Sequence, residues 1–203
     1  MWQSRVREFL EQYNLDSDAD WQETAALKTD MAEYRRKRPQ EGLTRTLFDR
    51  IVIWKLRGQI HRTAGHLEHL NDKMIYEVTG AAIRLEHLDL EVSSRVRTQV
   101  LQGLPGVGLG VAAAILTMYF PESFGIIDFR CWDEIHESDP EFRSAETSFS
   151  ISQYLTYLAT IRPFAQASGL EVQMVDFALW KTWELRRARR AVRWSGNAWL
   201  ARP

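Results

Sequence analysis

The chain has 203 residues and a formal net charge of −1, with a hydrophobic fraction of 45% and a charged fraction of 26%, as is typical of a globular protein. No apolar run approaches the roughly 20 residues that cross a bilayer, and the charged N-terminus does not resemble a signal peptide, so we expect a cytoplasmic protein without a membrane partner. The single cysteine, Cys131, excludes an internal disulfide and a cysteine-ligated cluster or zinc site.

Apolar residues recur with helical spacing along nearly the whole chain, and no stretch alternates as a strand would. The pattern predicts an all-α protein with helices at residues 2–13, 18–38, 43–57, 71–87, 91–102, 110–120, 129–137, 149–166 and 170–191. Asp18 and Asn71 are suited to N-caps, Pro39 to a helix stop and Gly169 to a helix C-terminus. Turn formers and acids replace the periodic pattern after residue 137, where we place the weakest boundary.

A glycine-punctuated turn separates the helices predicted at 91–102 and 110–120. Its sequence is Leu104-Pro105-Gly106-Val107-Gly108, and glycine allows a tight reversal because it reaches positive φ and permits close backbone approach. Free N–H groups at the start of the next helix, together with the helix dipole, favour an anionic oxygen such as that of a phosphodiester. The turn therefore predicts a helix-hairpin-helix that holds a nucleic-acid backbone, with a tightly packed helical corner as the alternative.

Asp128 lies 20 residues after Gly108, directly after the apolar pair Ile126 and Ile127. This order predicts that the chain returns to the core and presents Asp128 at the start of the next helix, beside the hairpin. An aspartate at this place is suited to an N-cap. The helix N-terminus also keeps a carboxylate ionised, and only the anion can orient water or offset a developing positive charge. Asp128 is therefore a candidate for both capping and catalysis.

The hairpin and Asp128 together resemble the helix-hairpin-helix (HhH-GPD) superfamily of DNA glycosylases, closely over about residues 95–135 and in helix order from about residue 43. The chain length is similar to that of the endonuclease III branch. The resemblance implies two helical subdomains, with the hairpin at about residues 93–120 bordering the cleft between them. A six-helix-barrel-like subdomain would comprise residues 21–137, and a second subdomain would combine residues 1–20 with 138–203.

The resemblance also implies roles for individual residues, beginning with Asp128 as the catalytic residue. The DNA-binding residues that it implies are Gly106, Gly108, Gly110 and Arg130. The candidate residues of the base pocket are Trp54, Arg57 and Trp132. We expect double-stranded DNA as the partner of a monomer, with no metal ligands and no cofactor beyond a monovalent cation at the hairpin carbonyls.

Two departures from the family pattern predict a narrower activity. Gly110 stands where members that cut the strand have a nucleophilic lysine, and the four cysteines of an iron-sulfur cluster are missing. The sequence therefore predicts a monofunctional glycosylase that releases a base and leaves an abasic site. The base itself stays open, as does the choice between base-excision repair and defence against phage with modified DNA.

Other functions remain alternatives at this stage. The chain could be a DNA-binding module without catalysis, in which Asp128 is only a cap. A metal-dependent enzyme would use His61, His66 and His69, whose spacing matches no recognised ligand set. Residues 184–203 hold six arginines and one acid, whereas residues 133–146 hold six acids and one arginine, so one face can be basic despite the net charge. A merely solvated final helix is the alternative for those arginines.

Overall fold

A computed structural model describes residues 1–85, 89–137 and 148–197, and these ranges contain helices and turns but no strand. The α-helices are α1 (Trp2–Gln12), α2 (Ala19–Lys37), α3 (Arg45–Leu56), α4 (Ala64–Leu67), α5 (Asp72–Ile83), α6 (Leu90–Gln102), α7 (Leu109–Tyr119), α8 (Phe129–His136), α9 (Ile151–Ser168) and α10 (Val172–Asn197). Two 3-10 segments, Leu15–Ser17 and Arg57–Arg62, precede α2 and α4. The predicted all-α class is confirmed. In the described part of the chain, no helix combines the length and apolar character needed to cross a membrane.

Local capping chemistry sets several of the helix ends. Asp18 and Asn71 each accept a hydrogen bond from the third backbone N–H after them, at the starts of α2 and α5. Gly169 ends α9 in the left-handed conformation with a φ of 65°, and Pro39 follows the end of α2. These four predictions are confirmed, because each depends on neighbours within a few residues along the chain.

Four helices depart from their predicted bounds by two residues or more, and one of them, α9, lies two residues later at each end than the predicted 149–166. Helix α3 begins at Arg45 rather than at residue 43 because the Thr44 side chain caps it. Helix α5 ends at Ile83, before the predicted residue 87, where the Arg97 guanidinium donates to the carbonyls of Ala82 and Ile83. Helix α10 continues to Asn197, beyond the predicted residue 191. The predicted boundary after residue 137 lies next to residues 138–147, which are outside the described residues.

Helix α7 is the central element of the first half of the molecule. Its residues from Val111 to Tyr119 are all buried, and α2, α3 and α6 pack around it while α5 packs on α6. Leu104 and Val107 of the preceding turn are buried as well. The turn before α7 is therefore anchored to the core by its apolar residues, which leaves its glycines at the surface of the fold.

Helix α10 has the same central position in the second half. Helices α1, α8 and α9 pack against it, and a contact between α6 and α9 connects the two halves within one continuous apolar core. The predicted division assigns α8 to the first subdomain, yet the extensive contacts of α8 are with α10. Helix α8 therefore carries Asp128 on the α10 side, and the division into two subdomains stays a prediction.

The acidic stretch in α8 and the arginines of α10 contact each other. Glu134 is completely buried and pairs with both Arg5 and Arg186, and Arg186 also pairs with Glu137. Arg187 lies over the ring of Trp183, with 5.1 Å between its guanidinium carbon and the ring centroid. Part of the positive charge predicted for a basic face is therefore neutralised inside the protein.

Candidate active site

The turn between α6 and α7 has one position that requires glycine. Gly106 has a φ of +81°, and a Cβ at this position would lie 2.9 Å from the Cβ of His66. Gly108 differs, because its φ of −79° is open to any residue and a Cβ there would meet no atom within 4 Å. The expected positive φ therefore holds for Gly106 alone, while Gly108 leaves open space in front of the turn.

Four backbone amides at this turn are free to bind a ligand. Within the described residues, no hydrogen bond is donated by the amides of Gly106, Gly108, Leu109 and Gly110. The amides of Val111 and Ala112 donate to the Gly108 carbonyl and so begin the helical pattern. Because α7 has 11 residues, its dipole adds to the free amides at this end. The arrangement has the chemistry of an anion site.

Asp128 is the N-cap of α8, as its sequence context predicts. Its Oδ1 accepts hydrogen bonds from the backbone N–H groups of Arg130 and Cys131, at 2.8 and 3.0 Å. Its Oδ2 lies 3.5 Å from Nη1 of Arg130. The side chain is 22% exposed, so solvent and a ligand can reach it. The capping prediction is confirmed, and the capping bonds involve only one of the two carboxylate oxygens.

A cavity of about 480 Å³ brings together four of the predicted site residues. Its walls are the start of α2, the end of α3 with the following 3-10 segment, the start of α8 and the first half of α10. The predicted residues that line it are Trp54, Arg57, Asp128 and Arg130. This volume lies within the range of small-molecule sites.

Trp132 does not belong to this cavity, which corrects its assignment to the base pocket. The side chain is 3% exposed, and its ring packs against those of His136 and Phe149, at centroid distances of 4.5 and 5.5 Å. Residue 132 is one helical turn after Asp128, but Asp128 is the N-cap and has an extended backbone (φ −140°, ψ 171°), so the helical i, i+4 relation does not bring the two side chains together. Trp180 of α10 supplies an indole to the cavity wall instead.

The cavity contains two hydrogen-bond donors without acceptors. The indole Nε1 of Trp54 and the Nε of Arg130 are buried, and neither has a hydrogen-bond partner among the described residues. The Arg130 guanidinium also lies over the rings of Trp180 and Trp183, at 5.7 Å from each centroid, while its Nε is 3.9 Å from Glu184 Oε1. A flat guanidinium among aromatic rings is held in place by cation–π attraction.

Arg57 stands at the mouth of the cavity in a strained conformation. Its φ is 42°, which is uncommon for a residue other than glycine. The guanidinium pairs with Asp20 at 2.6 Å and with Glu23 at 3.1 Å. Asp20 pairs in addition with Lys181 at 2.5 Å. These ion pairs attach the end of α3 to the start of α2. They also neutralise the positive charge of Arg57, which the sequence analysis places in the base pocket.

Two residues that the sequence reading missed line the same cavity. Asp176 of α10 accepts a hydrogen bond from the hydroxyl of Tyr157, and burial raises the pKa of its carboxyl to about 7. Lys55 of α3 forms no hydrogen bond or ion pair with any described residue, and its Cε lies 3.5 Å from where a Cβ on Gly110 would stand. Both are charged residues within otherwise apolar helical runs, which is the signal that marks them.

Cys131 and two of the three candidate histidines, His61 and His66, make contacts that are typical of structural residues. Burial raises the pKa of the Cys131 thiol well above its usual range, so the thiol is not an activated nucleophile. His61 contacts the Gly58 carbonyl through Nδ1 at 3.0 Å, and His66 packs beneath Gly106. No cluster of three or more His, Cys, Asp or Glu side chains suited to a metal occurs among the described residues.

Comparison of the chain with protein-family models, with curated proteins and with solved structures finds no match.

Proposed function

We propose that the protein is a monofunctional DNA glycosylase, which rotates a damaged or modified base out of double-stranded DNA and hydrolyses its N-glycosidic bond. The observation that carries the proposal is the position of Lys55. Lys55 lines the cavity with Asp128, and its Cε lies 3.5 Å from where a Cβ on Gly110, in the first turn of α7, would stand. The free amides of the hairpin and the Asp128 carboxylate therefore belong to one region, as a phosphate grip and a reacting group must.

The steps follow from the chemistry of these groups. Removing a base from the stack costs about a few kcal/mol, and least for a damaged or mispaired base. The amides of Gly106, Gly108 and Gly110 would bind a backbone phosphate, while the rings of Trp54 and Trp180 would contact the extruded base. As the bond to the base lengthens, the sugar gains positive charge at C1′. The Asp128 carboxylate stabilises that charge and directs a water molecule to C1′.

A monovalent cation would fit on the hairpin. The carbonyls of Pro105, Gly106 and Val107 accept no hydrogen bond within the described residues, so their oxygens are free for an ion. A cation there would add positive charge next to a bound phosphate. The reaction itself needs no group beyond the side chains and water.

The decisive experiment substitutes Asp128→Asn, which keeps an oxygen for the cap but removes the negative charge. Duplexes containing uracil, hypoxanthine, 8-oxoguanine, 7-methylguanine or 5-hydroxymethylcytosine are incubated with the protein and then broken at abasic sites with hot alkali. For 7-methylguanine, which hot alkali cleaves without the protein, the released base is measured directly. We expect the variant to lose about 100-fold or more in rate while it binds DNA with nearly unchanged affinity. The duplex that reacts also distinguishes repair from defence against modified DNA.

Asp89→Asn is a matched control for the cap. Asp89 caps α6 by accepting from the backbone N–H groups two and three residues later, the same pattern that Asp128 has in α8. It does not line the cavity, so we expect wild-type rates. Equal rates for the wild type and Asp128→Asn would contradict the proposal.

A non-catalytic DNA-binding module is the second candidate. The observation that favours it is that Asp128 Oδ1 is fully used by the two capping hydrogen bonds. Under this alternative, the protein binds duplex DNA through the hairpin but releases no base from any of the five duplexes. Asp128→Asn would then change only the stability of α8.

A further inference from the structure

Asp176 is a buried carboxyl that the proposed mechanism does not yet use. It lines the cavity together with Asp128 but is only 7% exposed. Other buried carboxylates have cationic partners, as Glu134 has in Arg5 and Arg186 and Asp18 has in Lys181. Within the described residues, no cation lies within 4 Å of the Asp176 carboxyl. A buried acid without a cationic partner binds its proton more tightly, because ionisation would leave a charge in the core that no cation offsets.

Several groups around Asp176 act on its proton in opposite directions. Burial and the negative charge of Asp128 favour the protonated form, whereas the Tyr157 hydroxyl, the backbone N–H of Ile126 and the charge of Lys55 favour the anion. The balance raises the pKa of Asp176 to about 7. Cys131, on α8, contacts only the backbone carbonyl of Asp176, at 3.7 Å from its Sγ.

The two carboxyl groups of the cavity thus have environments that suit opposite tasks. Asp128 stands at a helix N-terminus, accepts hydrogen bonds from two backbone N–H groups and is 22% exposed. Asp176, on α10, is buried where α8 and α9 pack against this helix, and burial raises the pKa of its carboxyl to about 7. A pair of carboxyl groups that differ in this way can divide acid and base roles between them.

We propose that Asp176 donates a proton to the departing base, and that the substrate is therefore an uncharged base rather than a cationic alkylated one. The inference rests on the proposed glycosylase function and names a second catalytic residue for it. A cationic base leaves as a neutral molecule and needs no acid. An uncharged base leaves with the electron pair of the broken bond and is a poor leaving group until it is protonated.

The step balances in protons and electrons. The bond between C1′ and the base nitrogen breaks, its electron pair goes to the base, and the base takes the proton of Asp176. Water adds to C1′ and gives a proton to the Asp128 carboxylate. Exchange with solvent then moves a proton from Asp128 back to Asp176. The net reaction consumes one water and yields a neutral base and an abasic sugar.

The first test measures the rate of base release at saturating protein between pH 5.5 and 9, with the same five duplexes. In the wild type we expect the rate to fall as pH rises above about 7, by about tenfold per pH unit, because Asp176 loses its proton. Asp176→Asn should lower the rate below pH 7 by about 100-fold or more and remove this fall. A wild-type rate and pH profile in Asp176→Asn would overturn the inference.

Tyr157→Phe provides a test that does not depend on replacing Asp176. The Tyr157 hydroxyl stabilises the Asp176 anion, so its removal should shift the fall in rate to higher pH. Tyr13→Phe is the matched control, because Tyr13 donates to Asp18 in the same way at 2.6 Å and lies outside the cavity. We expect the Tyr13→Phe profile to superimpose on that of the wild type; an unshifted Tyr157→Phe profile would count against the inference.

A titration without DNA separates the two levels of the proposal. Protein labelled with ¹³C at the aspartate carboxyls should show one resonance that titrates near neutral pH and is missing in Asp176→Asn. If every aspartate titrates below pH 5, Asp176 is not the acid. If no duplex releases a base in an Asp128-dependent way, the glycosylase function and the inference both fail. If release depends on Asp128 but is fastest for 7-methylguanine and insensitive to Asp176→Asn, only the inference fails.

Discussion

At the scale of single residues, Lys55 is the lysine of the cavity that lies near Gly110, so it is the residue with which to test the proposed monofunctional activity. Gly110 itself has no amine that could attack the sugar, and the Cε of Lys55 lies 3.5 Å from where a Cβ on Gly110 would stand. We therefore expect base release without strand breaks before alkali, and no covalent complex after borohydride reduction. Lys55→Gln should bind DNA more weakly without changing this product. Lys73→Gln, on the exposed side of α5, is the control; a borohydride complex that Lys55→Gln abolishes would contradict the monofunctional prediction.

The site residues that were recognised from the sequence are those whose role depends on residues close to them along the chain. Asp128 is recognisable from its distance to the hairpin and from the helix that follows it, and Trp54 from its place at a helix end. Asp176 is not recognisable in this way, because its significance arises from the cavity that it shares with Asp128 and the hydrogen bond that it accepts from Tyr157, residues that are 48 and 19 positions away in sequence. Trp132 was misassigned because Asp128 is an N-cap with an extended backbone, so the helical rule that places residues four apart on one face does not apply to this pair.

At the scale of elements, the hairpin allows stability and DNA binding to be varied separately. Gly106→Ala places a Cβ at a φ of +81° and 2.9 Å from His66 Cβ, so we expect a loss of about 1–3 kcal/mol in the free energy of unfolding. Gly108→Ala meets no atom within 4 Å and should leave stability within about 0.5 kcal/mol of the wild type.

We expect Gly108→Ala, the variant with nearly unchanged stability, to bind DNA more weakly than the wild type. The Cβ of Gly108→Ala would stand where the phosphate approaches the free amides, so we expect weaker binding from a stable protein. Urea unfolding and fluorescence anisotropy with a duplex containing an abasic-site analogue measure the two quantities. A stable Gly108→Ala variant with full affinity would show that the hairpin does not bind the backbone through this face.

The elements themselves were largely predictable because their ends are local. Capping side chains at Asp18 and Asn71 and the left-handed Gly169 are determined by neighbours within one helical turn. The end of α5 was missed because a tertiary contact determines it, namely the Arg97 guanidinium that binds the carbonyls of Ala82 and Ile83. The packing of α8 on α10 is likewise a property of the assembled core, which helical periodicity does not specify.

At the scale of the whole molecule, the site lies where the helices around α7 approach the helices around α10. The hairpin and Lys55 belong to the first group, whereas Asp128 and Asp176 face the cavity from the second. Ion pairs between Arg57, Asp20 and Lys181 cross the same region. In the proposed function, a phosphate bound at the hairpin lies on one group of helices and the two carboxyls lie on the other. The distance between them therefore depends on how the helices around α7 pack against the helices around α10.

The proton held by Asp176 should be visible in the stability of the whole fold. Its pKa is raised from 3.8 in the unfolded reference to about 7 in the folded protein, so the folded state binds the extra proton between these values. The free energy of unfolding contributed by this group is complete below pH 4 and is lost as pH rises through 7, by on the order of 4 kcal/mol. Asp18 and Asp20 have pKa values shifted downward, so they act below this window.

Urea unfolding of the wild type and Asp176→Asn at intervals from pH 4.5 to 8 isolates this contribution, because the other titrating groups cancel in the difference. We expect the Asp176 proton to make the free energy of unfolding of the wild type larger at pH 4.5 than at pH 8. This contribution should be missing in Asp176→Asn. Asp89→Asn, with an exposed capping aspartate, should run parallel to the wild type. A difference between wild type and Asp176→Asn that does not vary with pH would mean that Asp176 is ionised in the folded protein, since only a bound proton links this residue's contribution to pH.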